Sequence, residues 1–136
     1  MPKIKKPLAA NVTKLSPGSK LQTLGVEHPV FCFRYLAKSY SISDCTNDQL
    51  VALVQQLERL SKLTWQEIRL SGRHAMGGEK LVRASIKGPI PDWVTEDVSF
   101  FLAFRFIGKM PFIAHRNGQI MHLIAIDHDF NYYPHS

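Results

Sequence analysis

The chain has 136 residues, of which 45% are hydrophobic and 21% are charged, and its formal net charge is +6. This composition predicts one globular domain with a core large enough to stand alone, so no second domain is needed. No apolar run reaches the roughly 18 to 20 residues of a membrane span, and the amino terminus lacks the apolar stretch of a signal peptide. We therefore expect a cytoplasmic protein that has no membrane partner.

Positive charge is concentrated at the amino end of the chain. Residues 1–27 carry five lysines and one acid, a net charge of +4, which leaves +2 on residues 28–136. Prolines and the lack of a sustained periodicity predict a flexible basic arm over residues 1–27, followed by a single domain over residues 28–136. Such an arm can hold a phosphate backbone through counterion release, and solubility explains the same charge equally well.

A strand and a helix are predicted next. The segment Val30–Leu36 is rich in β-forming residues and follows a proline, which favours a strand. Thr46 and Gln49 form a capping box, and leucines then recur at helical spacing, which predicts a helix whose leucine stripe belongs to the core. Truncating Leu57 within this stripe is expected to leave a destabilising cavity.

A second capping box, Thr64 with Glu67, predicts a short second helix that ends at Gly72. The segment Lys80–Ile86 alternates weakly between apolar and polar residues and is predicted to be a strand. The segment Lys87–Asp97 contains two prolines and is predicted to be a connecting loop.

Residues 71–80 are dense in both glycine and ionisable side chains. They have neither the ending of a Walker loop nor the helix that follows a dinucleotide fingerprint. Two interpretations remain. The segment is either a phosphate-binding loop that brings Arg73, His74 and Lys80 to the edge of the sheet, or a plain helix-to-strand connection whose glycines permit the turn.

Residues 99–136 are predicted to form a three-stranded antiparallel meander, with turns at Asn117-Gly118 and Gly108-Lys109. Side chains alternate across a strand, so this register predicts two faces. One face is assigned to the core: Phe100, Leu102, Phe104, Phe106, Ile113, Ile120, Ile124 and Ile126, with His115, His122 and His128. The other face is assigned to solvent: Phe101, Ala103, Arg105, Phe112, Ala114, Arg116, Gln119, Met121 and Leu123.

Together these elements predict an α+β fold. Two consecutive helices pack on one face of an antiparallel β-sheet that ends in the three-stranded meander. The other face of the meander combines arginines with aromatic residues, which favours a binding surface. A sheet with one solvated side explains the same pattern equally well.

The carboxy-terminal segment is rich in histidine, tyrosine and aspartate, and three chemistries compete for it. A divalent metal site would use His122, Asp127, His128, Asp129 and His135, although no helical histidine spacing supports it. Acid-base catalysis without metal would use His128, Tyr132, Tyr133 and His135. The third interpretation is an ordinary terminal strand. The two cysteines have no metal or disulfide spacing and are expected to be buried thiols.

The order strand, helix, helix and meander, ending in a His/Tyr segment, resembles the RelE/ParE/YoeB superfamily of bacterial toxins over roughly residues 28–135. Local support comes from the segment 103–106, the Gly108-Lys109 turn, the segment 120–126 and the ending around Tyr133. Arg105 resembles the basic residue that the family usually has on the strand before the hairpin. Lys109 stands where the family usually has an arginine, and His128 with Tyr132 or Tyr133 resembles the family's ending.

The resemblance implies a metal-independent endoribonuclease without a cofactor, with RNA or the ribosome and an antitoxin protein as partners. The 2′-hydroxyl of a ribose would attack the adjacent phosphorus. Arg105 and Arg116 would hold the phosphate, and His128 and His135 would be the base and the acid. His115 and His122 are excluded because the register turns them toward the core. The alternative function is a non-catalytic nucleic-acid or protein-binding accessory module of a phage or mobile element.

Overall fold

The computed structural model describes residues 27–75 and 78–134 of the chain, except the side chains of residues 72–75. Two helices and five strands make up this part of the chain. In chain order they are β1 (Val30–Cys32), α1 (Asn47–Ser61), α2 (Trp65–Ala75), β2 (Gly78–Val82), β3 (Phe100–Ile107), β4 (Met110–Asn117) and β5 (Ile120–Ile126).

The five strands form one sheet in the order β1-β5-β4-β3-β2. The pairs β2-β3, β3-β4 and β4-β5 are antiparallel, whereas β1 pairs in parallel with β5 at one edge. The predicted α+β class, with two consecutive helices and a carboxy-terminal meander of β3, β4 and β5, is confirmed. The predicted basic arm lies outside the described residues apart from Glu27.

Both predicted capping boxes are present and begin the two helices. The Thr46 hydroxyl accepts a hydrogen bond from the Gln49 backbone N–H (3.1 Å), and the Gln49 side chain accepts one from the Thr46 N–H (2.8 Å). Thr64 and Glu67 make the same reciprocal pair, at 3.1 and 2.9 Å. The α2 N-terminus is also tied to the preceding chain, because the Trp65 N–H donates to the Glu27 carbonyl oxygen (3.0 Å).

Three element boundaries differ from the prediction. β1 ends at Cys32 rather than Leu36, α2 continues past Gly72 to Ala75, and β2 runs from Gly78 to Val82 rather than from Lys80 to Ile86. A glycine lowers helix stability by only about 1 kcal/mol relative to alanine, so Gly72 is not sufficient to end a helix. Because of this, Arg73 belongs to α2 and not to a glycine-rich loop.

The β3-β4 turn agrees with the prediction. Gly108, with φ of 56°, and Lys109 connect the two strands, and Ile107 is paired with Met110. A positive φ is costly for residues with a Cβ atom, which explains glycine at this position.

The β4-β5 turn lies one residue later than predicted. Gly118, with φ of 63°, and Gln119 connect the strands, and Asn117 is paired with Ile120. A single positive φ at the first central residue is typical of a type II′ turn, whereas the predicted Asn-Gly turn needs a positive φ at both residues.

The pairing of β3 with β4 contains a β-bulge between Arg105 and Ile107, next to the turn that connects the two strands. Arg105 is opposite Pro111, which has no N–H to donate, so a regular ladder is not possible there. The bulge shifts the pairing of β4 with β3 by one residue. A shift of one residue moves every side chain of a strand to the opposite face of the sheet.

The predicted faces of the meander are therefore correct for β3, but they are inverted for β4 and for Met121 and Leu123 of β5. Leu102 and Phe104 of β3 lie on the same side as Phe112 and Ala114 of β4, facing the helices. Phe101 and Ala103 lie on the opposite side with Ile113, Ile124 and Ala125.

The second face of the sheet is not solvated. Val94 and the partly buried Trp93, from the segment between β2 and β3, pack on this face together with Tyr132 and Tyr133 near the end of the chain. The sheet is consequently buried on both sides, which accounts for the long apolar runs in β4 and β5.

The helices cover the other face, as predicted. Leu53, Leu57 and Leu60 of α1 and Trp65 and Ile68 of α2 are buried against the sheet. The predicted leucine stripe is thus part of the core.

Candidate functional site

A cleft opens where the pairing between β3 and β4 ends. The register of these strands stops at Leu102 and Ala114, although β3 begins at Phe100 and β4 continues to Asn117. Beyond that point β3 is paired with β2, and β4 with β5. The cleft has a volume of about 750 Å³ and is also lined by the first half of α2.

The cleft combines an apolar floor with an accessible aromatic ring. Trp65, Ile68 and Phe104 line it and belong to the core between the helices and the sheet. Phe100 also lines it, and 42% of this residue's surface is exposed. The cleft therefore offers apolar area to a ligand without opening the core.

Three cationic side chains line the cleft: Arg69, Lys80 and Arg116. Lys80 Nζ lies 4.3 Å from the ring centroid of Phe100, and the guanidinium carbon of Arg116 lies 4.2 Å from the ring centroid of Trp65. Lys80 and Arg116 are two of the residues that the sequence analysis selected for phosphate binding. The cleft also contains two acids, Glu79 and Asp97, so its fixed charge has a slight positive excess.

A histidine from the sheet reaches the same cleft. His115 is half-buried and lines the cleft, and it is the cross-strand partner of the buried His122. Burial lowers the pKa of His115, the neighbouring His122 lowers it further, and Asp97 opposes the shift. The neutral imidazole is thus favoured near pH 7, and a neutral imidazole can accept a proton.

His122 lies beside His115 on the neighbouring strand β5, within an aromatic cluster. The ring centroids of Trp93 and Tyr35 are 5.2 and 5.6 Å from that of His122. Burial lowers the pKa of His122 as well. Both histidines are predicted from the register to face the core. In the structure His122 is buried, whereas His115 lines the cleft.

Other residues selected for phosphate binding do not lie in the cleft. Lys109 is exposed in the turn at the opposite end of β4, roughly 20 Å from Arg116 along the strand. Arg105 is half-buried at the bulge beside that turn. The side chains of Arg73 and His74 lie outside the described part of the molecule.

The candidate catalytic residues of the carboxy-terminal segment also lie away from the cleft. Tyr132 is completely buried under the sheet and donates a hydrogen bond to the Pro89 carbonyl oxygen (2.6 Å), and burial raises the pKa of its phenol. Tyr133 is buried in the same cluster. His128 Nε2 is hydrogen bonded to the Ser39 carbonyl oxygen (2.8 Å).

Burial of Tyr132 and Tyr133 and the hydrogen bond of His128 indicate that these three residues stabilise the fold. His135 lies outside the described residues. Within those residues, no three His, Cys, Asp or Glu side chains are grouped so that they would hold a metal ion. Asp127, one of the candidate metal ligands, instead accepts hydrogen bonds from the backbone N–H groups of Asn131 (2.7 Å) and Tyr132 (3.0 Å).

Sequence reasoning missed Arg69, Phe100 and His115 as cleft residues. Arg69 had a detectable signal, because it follows the buried Trp65 by four residues and therefore shares its side of α2. Phe100 and His115 carried no such signal, since their position depends on the bulge and on where the β3-β4 pairing stops.

Comparisons of the chain with protein-family models, with curated proteins and with solved structures found no significant match. Among the helices described here, none has the length and apolar character to cross a bilayer.

Proposed function

We propose that the protein binds single-stranded RNA in the cleft between α2, β2, β3 and β4. The observation that carries this proposal is the combination, in one open cleft, of three cations with an exposed aromatic ring above an apolar floor. Cationic side chains bind phosphates, and an aromatic ring stacks on any base whose face is accessible. Bases in a duplex are already stacked on one another, so this lining suits a single strand.

A second function, metal-independent cleavage of that RNA, is supported by His115. A half-buried imidazole that favours its neutral form can take the proton of a ribose 2′-hydroxyl. The 2′-oxygen would then attack the adjacent phosphorus, and the bond to the 5′-oxygen would break as this oxygen takes a proton from water. The products are a 2′,3′-cyclic phosphate and a free 5′-hydroxyl. A RelE-like toxin activity, with the ribosome or an antitoxin as partner, stays a prediction.

The binding proposal is tested with a labelled single-stranded RNA and fluorescence anisotropy over a salt series. Arg69→Ala and Arg116→Ala each remove a cation from the cleft, so we expect weaker binding and a smaller dependence on salt, by about one phosphate contact each. Lys109→Ala removes the same charge from the distant turn and is the matched control. Equal effects of all three variants would show that only the net charge matters and would contradict the cleft.

The cleavage proposal is tested in EDTA with the same RNA and with a version that carries 2′-deoxyribose at the cleaved position. We expect a 2′,3′-cyclic phosphate product, no cleavage of the deoxy substrate, and a loss of rate of about 100-fold or more in His115→Ala. Binding of uncleaved RNA by this variant would show that the fold and the cleft are intact. Cleavage that needs added metal, or that survives in His115→Ala, would contradict the mechanism.

A further inference from the structure

The two cation-aromatic pairs of the cleft differ in how accessible their rings are. Phe100, under Lys80, has 42% of its surface exposed, whereas Trp65, under Arg116, has 4%. Trp65 is fixed by its own hydrogen bond, since its Nε1–H donates to the Gln119 carbonyl oxygen (3.0 Å). A planar ligand therefore has access to the Phe100 ring but not to the Trp65 ring.

The two cations also differ in how firmly they are held. The Arg116 Nε–H donates to the Gly118 carbonyl oxygen (2.8 Å) while the guanidinium lies on Trp65, so its plane has a fixed orientation. This arrangement leaves the terminal guanidinium nitrogens to face a phosphate with paired donors. Lys80 carries a compact ammonium on a flexible stem, and this ammonium lies over the exposed Phe100 ring.

From these differences we propose that the cleft has two distinct subsites for RNA. One nucleobase stacks on the Phe100 ring, in the place that the Lys80 ammonium occupies in the unbound protein, and Lys80 moves to an adjacent phosphate. Arg116 is a preset anchor for another phosphate of the same strand. The exchange is favourable because stacking of a base on an aromatic ring is stronger than a cation-π contact at an exposed site.

This assignment rests on the proposed binding of single-stranded RNA and adds which contact recognises the base. Phe100 determines affinity for the base, and Arg116 determines affinity for the backbone. The two contributions can be measured separately, because a ribose-phosphate strand without bases still binds Arg116 but has no base to stack on Phe100.

The test compares two probes of equal length and charge: a single-stranded RNA with all of its bases, and its abasic ribose-phosphate counterpart. We expect Phe100→Ala to weaken binding of the intact RNA about tenfold and to leave binding of the abasic strand unchanged. Arg116→Ala should weaken binding of both probes. Phe100→Trp should preserve or strengthen binding of the intact RNA, because the larger ring still stacks.

Val82→Ala is the matched control, because Val82 is the cross-strand neighbour of Phe100 on β2, is 56% exposed, and does not line the cleft. It should bind both probes as the wild type does. A fluorescent base analogue in the RNA gives a direct readout of stacking: its emission should change on binding to the wild type and not to Phe100→Ala.

The outcomes separate this inference from the proposed function. If the wild type binds the intact RNA and Phe100→Ala binds it equally well, or loses both probes equally, the stacking subsite is refuted while RNA binding stands. If the wild type binds neither probe, the proposed function fails and the subsites fail with it.

Discussion

Asp127 is a completely buried carboxylate that fixes the end of the chain. It accepts hydrogen bonds from the backbone N–H groups of Asn131 and Tyr132, directly after β5. These bonds turn the chain so that Tyr132 enters the core beneath the sheet and reaches the Pro89 carbonyl. Gly88 permits this approach, since a Cβ atom there would overlap the Tyr132 ring. A residue that the sequence offers as a metal ligand thus has a structural use.

The cross-strand histidines predict a pH-dependent stability. Burial lowers the pKa of His115 and of His122 below the usual 6.5 in the folded protein. As the pH falls through 6.5, the unfolded chain binds protons that the folded chain does not, so the free energy of unfolding decreases. We expect a lower free energy of unfolding at pH 5 than at pH 8 in urea titrations.

The histidine variants identify the source of this effect. His122→Gln should reduce the loss of stability between pH 8 and pH 5, whereas the same change at the exposed His28 should not. Identical pH profiles for the wild type and His122→Gln would show that other groups cause the dependence.

At the scale of elements, α1 holds one side of the sheet through its leucine stripe. Leu57 is buried with Leu53 and Leu60 in the core shared with β3, β4 and β5. Leu57→Ala should lower the free energy of unfolding by about 2 to 5 kcal/mol, because it removes buried methyl groups and leaves a cavity. Val54 is on the same helix and is 61% exposed, so Val54→Ala should change stability by at most about 0.5 kcal/mol. Similar losses for the two variants in denaturant titrations would contradict the placement of the helix.

The cleft is a consequence of how these elements meet. β3 is held by β2 and β4 by β5 beyond Leu102 and Ala114, and α2 covers the gap from one side. Arg116 is held in this gap by its contacts with Trp65 and with the Gly118 carbonyl oxygen, so less ordering of that side chain is required on binding.

At the scale of the whole molecule, the charge divides between the domain and its amino-terminal segment. Residues 1–27 hold five lysines and one acid, and they carry +4 of the net charge of +6. The cleft itself has only a slight positive excess, so we expect these lysines to add to RNA affinity through counterion release.

Removing residues 1–26 tests this contribution and keeps Glu27, whose carbonyl oxygen is bonded to the Trp65 N–H. We expect weaker RNA binding at low salt and a smaller slope of log affinity against log salt. A full-length variant with the five lysines changed to glutamine should behave like the truncation, since charge is the property that both remove. Melting temperatures are measured in parallel to verify that each variant is folded. An unchanged salt slope would leave solubility as the explanation of the charge.

Contacts between residues close in the chain could be predicted from the sequence alone. The Thr46 and Thr64 capping boxes, the leucine stripe of α1 and the Gly108-Lys109 turn each depend on residues within a few positions of one another. Local hydrogen bonds and helical periodicity specify such features, so the α+β class and the meander followed from them. Two cations of the cleft, Lys80 and Arg116, were also among the residues selected for phosphate binding.

Which side of the sheet each residue occupies was decided by the tertiary structure. The bulge opposite Pro111 exchanges the faces of β3 and β4, and the point where the β3-β4 pairing stops places Phe100 and His115 in the cleft. Trp93 and Tyr132 help to bury the second face. Trp93 belongs to the loop before β3, and Tyr132 reaches the sheet only because the chain turns back after β5. A shift of one residue in the strand pairing moves every side chain of a strand to the opposite face. Contacts between residues far apart in the chain set this pairing. A local sequence pattern therefore predicts the helices and strands but not the site.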